Sequence, residues 1–146
     1  GSLQLFIQHD PARHYFTFSA ADRQRLRPVV LFDLLLNNAD RKGGHLLMAS
    51  DGHLWCVDHG LCFHTKDKLR TVIWDFAGEP LPAALRASLK ALIPRLEPAA
   101  PLYAALQAHL SPDELAALRR RAAALVTQER FPHPPEDRRP FPYPPV

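Results

Sequence analysis

A chain of 146 residues is long enough for one domain, or for one lobe of a larger one, and with 47% apolar side chains it can bury a real core. Its formal charge of +3 is too small a basic excess to argue for a nucleic-acid partner, and no apolar run approaches the ~18 residues of a membrane-spanning helix. The two cysteines, Cys56 and Cys62, lack metal-ligand spacing and read as reduced thiols, so a cytoplasmic protein is expected rather than a disulfide-stapled one.

Leu3, Leu5 and Ile7 alternate along residues 1–8 and predict a strand. His9-Asp10-Pro11 ends it, because proline removes a donor and turns its predecessor away from helix. The aromatic run His14–Phe18 reads either as extended chain or as a packing turn. Ser19 can cap a helix that Pro28 then breaks or restarts. From Val29 to Asn37 the chain is strongly apolar and predicts a buried helix, although Leu34-Leu35-Leu36 also suits a strand. Leu46–Ala49 and His53–Val57 read as two short strands around the turn Ser50-Asp51-Gly52.

After Gly60 come Leu61–His64, a basic stretch from Lys66 to Arg70, and the apolar Thr71–Phe76. Glu79-Pro80-Leu81-Pro82 opens a helix with Leu85, Leu89, Leu92 and Leu96 on one face, bent or ended near Pro94. Leu102, Leu106 and Leu110 continue the helical period. Ser111-Pro112-Asp113-Glu114 combines a serine cap, an early proline and a capping-box glutamate. The helix it starts carries the stripe Leu115, Leu118, Ala122 and Leu125, with Arg119, Arg120 and Arg121 expected on its solvated face. From Phe131 onward the proline density predicts a polyproline-like tail with no fold of its own. The fold class that results is α+β and predominantly helical, with one small β-hairpin.

The hairpin carries the chemistry. It lies between Asn37-Asn38-Ala39-Asp40-Arg41-Lys42-Gly43-Gly44-His45 and Asp58-His59-Gly60. A tight antiparallel pair brings its outer ends together, which places Asp40 and Asp58 side by side at one mouth. Phosphoryl transfer from ATP uses two carboxylates in this way, one to orient the acceptor hydroxyl and one to hold Mg²⁺ on the phosphates. Each aspartate also suits a plain turn. Lys42-Gly43-Gly44 offers either a phosphate-holding cation on mobile backbone or a flexible basic turn.

Asn-Ala-Asp-Arg, a strand pair and Asp-His-Gly, in that order, resemble the catalytic and metal-binding loops of the phosphatidylinositol 3- and 4-kinase superfamily. The likeness is greatest to type II phosphatidylinositol 4-kinases and the actinobacterial and bacterial toxin kinases grouped with them. It is sharpest over Val29–Gly60 and extends from Leu3 to about Pro82. The resemblance implies the C-terminal lobe of a protein-kinase-like fold in a bacterial protein. Residues 1–8 would be the strand linking two lobes, residues 9–130 the lobe itself and residues 131–146 the tail. By their positions in the motif, Asp40 resembles the catalytic aspartate and Asp58 the metal-binding one, while Arg41 would either take part in the catalytic loop or form a structural salt bridge.

Histidine departs from the related pattern at position 45, where asparagine is expected. His45 can be a ligand that favours Mn²⁺ over Mg²⁺, a loop-bracing hydrogen bonder, or the mark of a weakened site. Leu47 matches the apolar residue beneath adenine, and Leu5, Phe6 and Ile7 the linking strand at its edge; core packing explains the same residues. The implied substrates are ATP and a hydroxyl acceptor on a lipid or a protein, with a peripheral membrane or a polyproline-binding domain as a further partner. There is no glycine-rich loop and no lysine before Lys42, so the phosphate-gripping N-terminal lobe is expected to be missing and residues 1–146 alone to be inactive. A pseudokinase or a nucleotide-binding interaction module is the competing reading.

Overall fold

The computed structural model describes residues 3–146. Five helices and one hairpin follow in chain order: α1 (Ala20–Gln24), α2 (Arg27–Leu36), β1 (Leu46–Met48), β2 (Leu54–Cys56), α3 (Ala83–Leu92), α4 (Pro101–Gln107) and α5 (Pro112–Thr127). This is the mixed, mainly helical architecture that the sequence predicts. Short 3₁₀ turns at Tyr15–Thr17, Gly43–His45 and Ile93–Leu96 join them, the last ending α3 where Pro94 stops it. Among the described residues no helix is long and apolar enough to cross a membrane.

The helix starts follow from their side chains. Ser19 accepts a hydrogen bond from the Asp22 amide and starts α1. Pro28 then restarts the chain in the first turn of α2, where its missing amide hydrogen has no intrahelical duty. Ser111 and Glu114 cap α5 reciprocally, the Ser111 amide donating to Glu114 Oε2 at 2.8 Å. β1 and β2 pair antiparallel with Leu46 opposite Cys56, Leu47 opposite Trp55 and Met48 opposite Leu54. Alternation puts Leu46 and Met48 into the core and leaves Leu47 on the other face with Trp55.

Two apolar clusters hold the domain. The larger packs Leu26, just before α2, and Val30 and Leu31 of α2 with Leu46, Met48, Ile73, Phe76 and Phe131. The smaller joins Leu36 to Leu96, Leu118 and Ala122, so α2 is shared between the two and fixes α5 relative to the hairpin.

Three expectations change. The strand over residues 1–8 is not formed: its first two residues lie outside the described ones, and residues 3–8 pair with nothing apart from the flanking His9–Ala49 bridge. A strand is made by a ladder partner, and alternation supplies none. Arg121 is not on a solvated face; it turns inward, where its Nε donates to the Leu35 carbonyl at 2.9 Å and its Nη1 to the His64 carbonyl at 3.2 Å. The α2 C-terminus exposes orphan carbonyls that a long guanidinium can reach.

The third change is the tail, which has no fold of its own yet takes its order from the rest. Phe131 and Pro142 are buried. The Thr71 amide donates to the Pro140 carbonyl at 3.0 Å and the Gly43 amide to the Pro145 carbonyl at 2.8 Å. Proline lacks a donor but keeps its acceptor, so a proline-rich strap satisfies loop amides that have no ladder of their own.

Candidate active site

α2 ends at Asn37, whose left-handed backbone (φ 58°) turns the chain out of the helix. Asparagine tolerates this conformation better than most residues. Its buried side chain donates to the carbonyls of His64 (2.9 Å) and Lys66 (2.7 Å) and accepts from the Lys68 amide (2.9 Å), clamping the basic stretch against the helix end. Asn38 donates to Asp33 Oδ1 at 3.0 Å while its own Oδ1 accepts from the Asp40 amide at 3.0 Å. Both asparagines therefore shape the loop that presents Asp40.

Arg41 is the centre of that loop. Its side chain is 0% exposed and its partner Asp33 1% exposed. Arg41 Nε donates to both Asp33 oxygens and Nη2 to Oδ1 at 2.9 Å, a forked pair, while Nη1 donates to the Val57 carbonyl at 2.6 Å. Burial works against the Arg41 charge, but the hydrogen bonds and charge of Asp33 outweigh it and hold the guanidinium above its usual pKa. So enclosed, Arg41 cannot meet a substrate: it is a positioning residue, and the structural alternative of the sequence reading describes its contacts. It ties the Asp40 loop to residue 57, the neighbour of Asp58.

Backbone bonds repeat the tie. Ala39 N–H donates to the Leu61 carbonyl (2.9 Å), Val57 N–H to the His45 carbonyl (3.0 Å), and Arg41 exchanges bonds with residues 70 and 72. The charges of Asp58 and, to a smaller extent, Asp40 both favour the protonated form of His45. His45 Nε2 lies 3.4 Å from Asp58 Oδ2, and Lys42 Nζ lies 3.7 Å from Asp40 Oδ2. Asp58 has a left-handed backbone (φ 54°), and its Oδ1 accepts from the Gly60 amide at 3.3 Å. Its side chain is 57% exposed.

Burial lowers the His45 pKa, with Asp58 pulling the other way, so the imidazole is neutral at pH 7. Its Nδ1 accepts from the Lys42 amide at 3.4 Å, which leaves the ring proton on Nε2, facing Asp58. As a ligand, Nε2 would have to give up that proton to Nδ1 and release the Lys42 amide. Among the described residues no three His, Cys, Asp or Glu side chains converge as a metal cluster. One or two carboxylates plus substrate phosphates are the usual protein share at a nucleotide Mg²⁺ site, and the exposed Asp58 carboxylate fits that role better than a nitrogen.

A cleft of about 450 Å³ runs beside Asp58, lined by Leu5, Ile7, Trp55, Cys56, Val57 and His59 among others. Leu47 shares the sheet face of Trp55, whereas Phe6 is 85% exposed and does not line the cleft. His59 stands edge-on to Phe32, its Nε2 buried without a partner. Cys56 and Cys62 are free thiols that burial pushes up to about 12 and about 11, which excludes them as nucleophiles. Asp33 is the residue that sequence reasoning missed. Its signal was a lone carboxylate inside the apolar run Val29–Leu36, which requires a buried cation.

A family model described as phosphatidylinositol 3- and 4-kinase matches residues 1–125. The chain is 42% identical over 144 residues to protein Rv2133c of Mycobacterium tuberculosis (strain ATCC 25618 / H37Rv), covering 99% of this chain and 51% of that protein. It is 29% identical over 102 residues to phosphatidylinositol 4-kinase gamma 3 of Arabidopsis thaliana, which is 64% of this chain and 18% of the plant protein. With phosphatidylinositol 4-kinase gamma 4 of Oryza sativa subsp. japonica the identity is 32% over 78 residues, 51% of this chain and 14% of that one. The chain thus spans about half the length of the mycobacterial relative and a smaller share of the plant kinases. No solved structure matches it significantly.

Proposed function

The chain belongs to the phosphatidylinositol 3- and 4-kinase family, and on that premise we propose that it is the C-terminal lobe of a kinase that transfers the ATP γ-phosphate to a hydroxyl acceptor. The observation that supports this most is the buried Asp33–Arg41–Val57 tie, which holds the Asp40 and Asp58 loops at one end of the hairpin. In this reading Asp40 orients the acceptor hydroxyl and takes its proton as the new P–O bond forms. Lys42, beside it, holds an anionic group of the nucleotide or the acceptor. Asp58 would hold Mg²⁺, with His45 fixing the carboxylate through the Nε2–H rather than binding the ion. When bound, the ion would neutralise charge on the phosphate oxygens. Adenine would lie in the cleft beside Leu5, Ile7 and Trp55, with Leu47 on the same sheet face.

The grip on the α- and β-phosphates would come from an N-terminal lobe, whose glycine-rich loop and lysine residues 1–146 do not carry. The acceptor is a phosphoinositide-type lipid or a protein hydroxyl; the plant relatives named for phosphatidylinositol favour the lipid. A nucleotide-binding lobe without turnover is the second reading, favoured by the Nε2–H of His45, which closes the position that asparagine would offer to a metal.

Calorimetric titration of ATP with Mg²⁺ and with Mn²⁺, into this chain and into a full-length form carrying an N-terminal lobe, tests both. Metal-dependent binding by the longer form, lost in Asp58→Asn, with phosphate transfer lost in Asp40→Asn, is expected. Equal nucleotide affinity in wild type and Asp58→Asn would remove the metal assignment, and binding without transfer would select the second reading.

A further inference from the structure

Away from Asp40 and Asp58, a larger cleft of about 530 Å³ opens between α5, residues 65–74 and the proline strap. None of Asp40, Lys42, His45 or Asp58 lines it. Two buried donors without a hydrogen-bond partner, Trp74 Nε1 and Arg121 Nη2, belong to side chains that do. A buried donor with no acceptor is costly and rare in a native fold, so a small turn of either side chain toward the cleft, where an anion could accept from it, would be favourable.

The charges agree. Asp67, the acidic residue on this cleft, is already taken by Arg138 Nη2 at 2.6 Å. Arg120 and Arg121 have no carboxylate within salt-bridge distance among the described residues. Arg121 is held below its usual pKa by burial first and by the charge of Arg120 second, a repulsion that an anion would relieve. Leu34 from α2 and Ala117 and Leu125 from α5 give the wall an apolar part beside polar Asn37, Thr65 and Gln128, and the volume far exceeds that of one oxyanion.

We propose that this cleft is a second ligand site, which takes a phosphate monoester carried on an apolar or aromatic body. Two guanidinium groups and the indole N–H supply more donors and more charge than a carboxylate would use, and a dianionic phosphate matches them. The apolar wall receives the body of the molecule.

The test uses residues 1–146 with Trp55→Phe, so that Trp74 is the one indole reporting, and phenyl phosphate as the probe. A saturable change in Trp74 fluorescence is expected, weakened roughly tenfold by Arg120→Gln, the loss of one charge-assisted contact. Arg120 is exposed and leaves the fold intact; Arg121→Gln, which also frees the Leu35 and His64 carbonyls, should weaken binding further. Asp58→Asn should leave binding unchanged, and inorganic phosphate should bind more weakly than phenyl phosphate. Vesicles containing phosphatidic acid present the same monoester: co-sedimentation that phenyl phosphate displaces would assign the site to a lipid, its absence to a soluble metabolite. No saturation, affinity unaffected by Arg120→Gln, loss in Asp58→Asn, or inorganic phosphate binding as tightly as phenyl phosphate would each overturn the proposal.

Discussion

Asp33, Asn38 and Arg41, behind the Asp40 loop, are each no more than 1% exposed, whereas Leu3, Leu5 and Phe6, near the start of the chain, stand 104%, 72% and 85% exposed. The first group is a closed polar lattice in which every charge has its partner. The second is an apolar edge with no ladder. The division separates what is locked from what is not: the buried Asp33–Arg41 pair fixes the loop that carries Asp40, and residues 3–6 lie outside its reach.

The largest effect should come from breaking the lattice. Arg41→Met leaves the Asp33 carboxylate buried and unpaired, and thermal denaturation should register a loss of about 3–5 kcal/mol. The double variant Asp33→Leu/Arg41→Met should recover much of that loss, since no charge then stays stranded. Equal destabilisation in the double variant would mean that packing, not pairing, holds the loop. On the open side Phe6→Ser should change stability by no more than about 0.5 kcal/mol, because its ring touches mostly solvent.

Next in size is the strap. Removing residues 140–146 takes away the acceptors for the Thr71 and Gly43 amides, and hydrogen exchange at these two positions should accelerate while the α5 core stays protected. Unchanged protection would show that the loops hold themselves. Gly43→Ala should be felt at the same place, since its Cβ would stand 2.8 Å from the Phe16 ring. That ring is partly exposed and can give, so a cost of about 1 kcal/mol is expected, relieved by Phe16→Ala.

The smallest effect is electrostatic. Burial lowers the pKa of both His45 and His59 in the folded chain. The unfolded chain then binds protons first, so their neutral forms favour folding above the unfolded value near 6.5, and that support is lost as pH falls below it. Asp58→Asn removes a charge that raises the His45 pKa, and an NMR titration should place that imidazole lower still. A higher value would put the Nε2–Asp58 contact in doubt.

Much of this was legible because it is local. Ser111 with Glu114, Pro28 in the first turn of α2, and the alternation on either side of Gly52 act within a few residues, so reading along the chain finds α5, α2 and the hairpin. The hairpin in turn announces that the loops flanking it are tied together, as the Ala39–Leu61 and Val57–His45 backbone bonds show. Asp33 and Arg121 escaped because each answers a partner outside its own helix: Arg41 in the loop after α2 in one case, the distant carbonyls of Leu35 and His64 in the other. A stripe along one helix cannot tell an arginine facing water from one facing an unpaired carbonyl on another helix.

The sequence by itself determined the starts of α1, α2 and α5, the presence of the hairpin and the order of the two aspartate loops, since caps, turns and alternation are set by neighbours in the chain. Only the tertiary structure decided which charges are buried in pairs, that the proline tail lies across Gly43 and Thr71, and that Trp74 and Arg121, each with an enclosed donor unanswered, line a cleft. Those outcomes depend on which distant groups share the low-dielectric interior, where an unpaired donor or charge is most costly, and no short-range pattern records that.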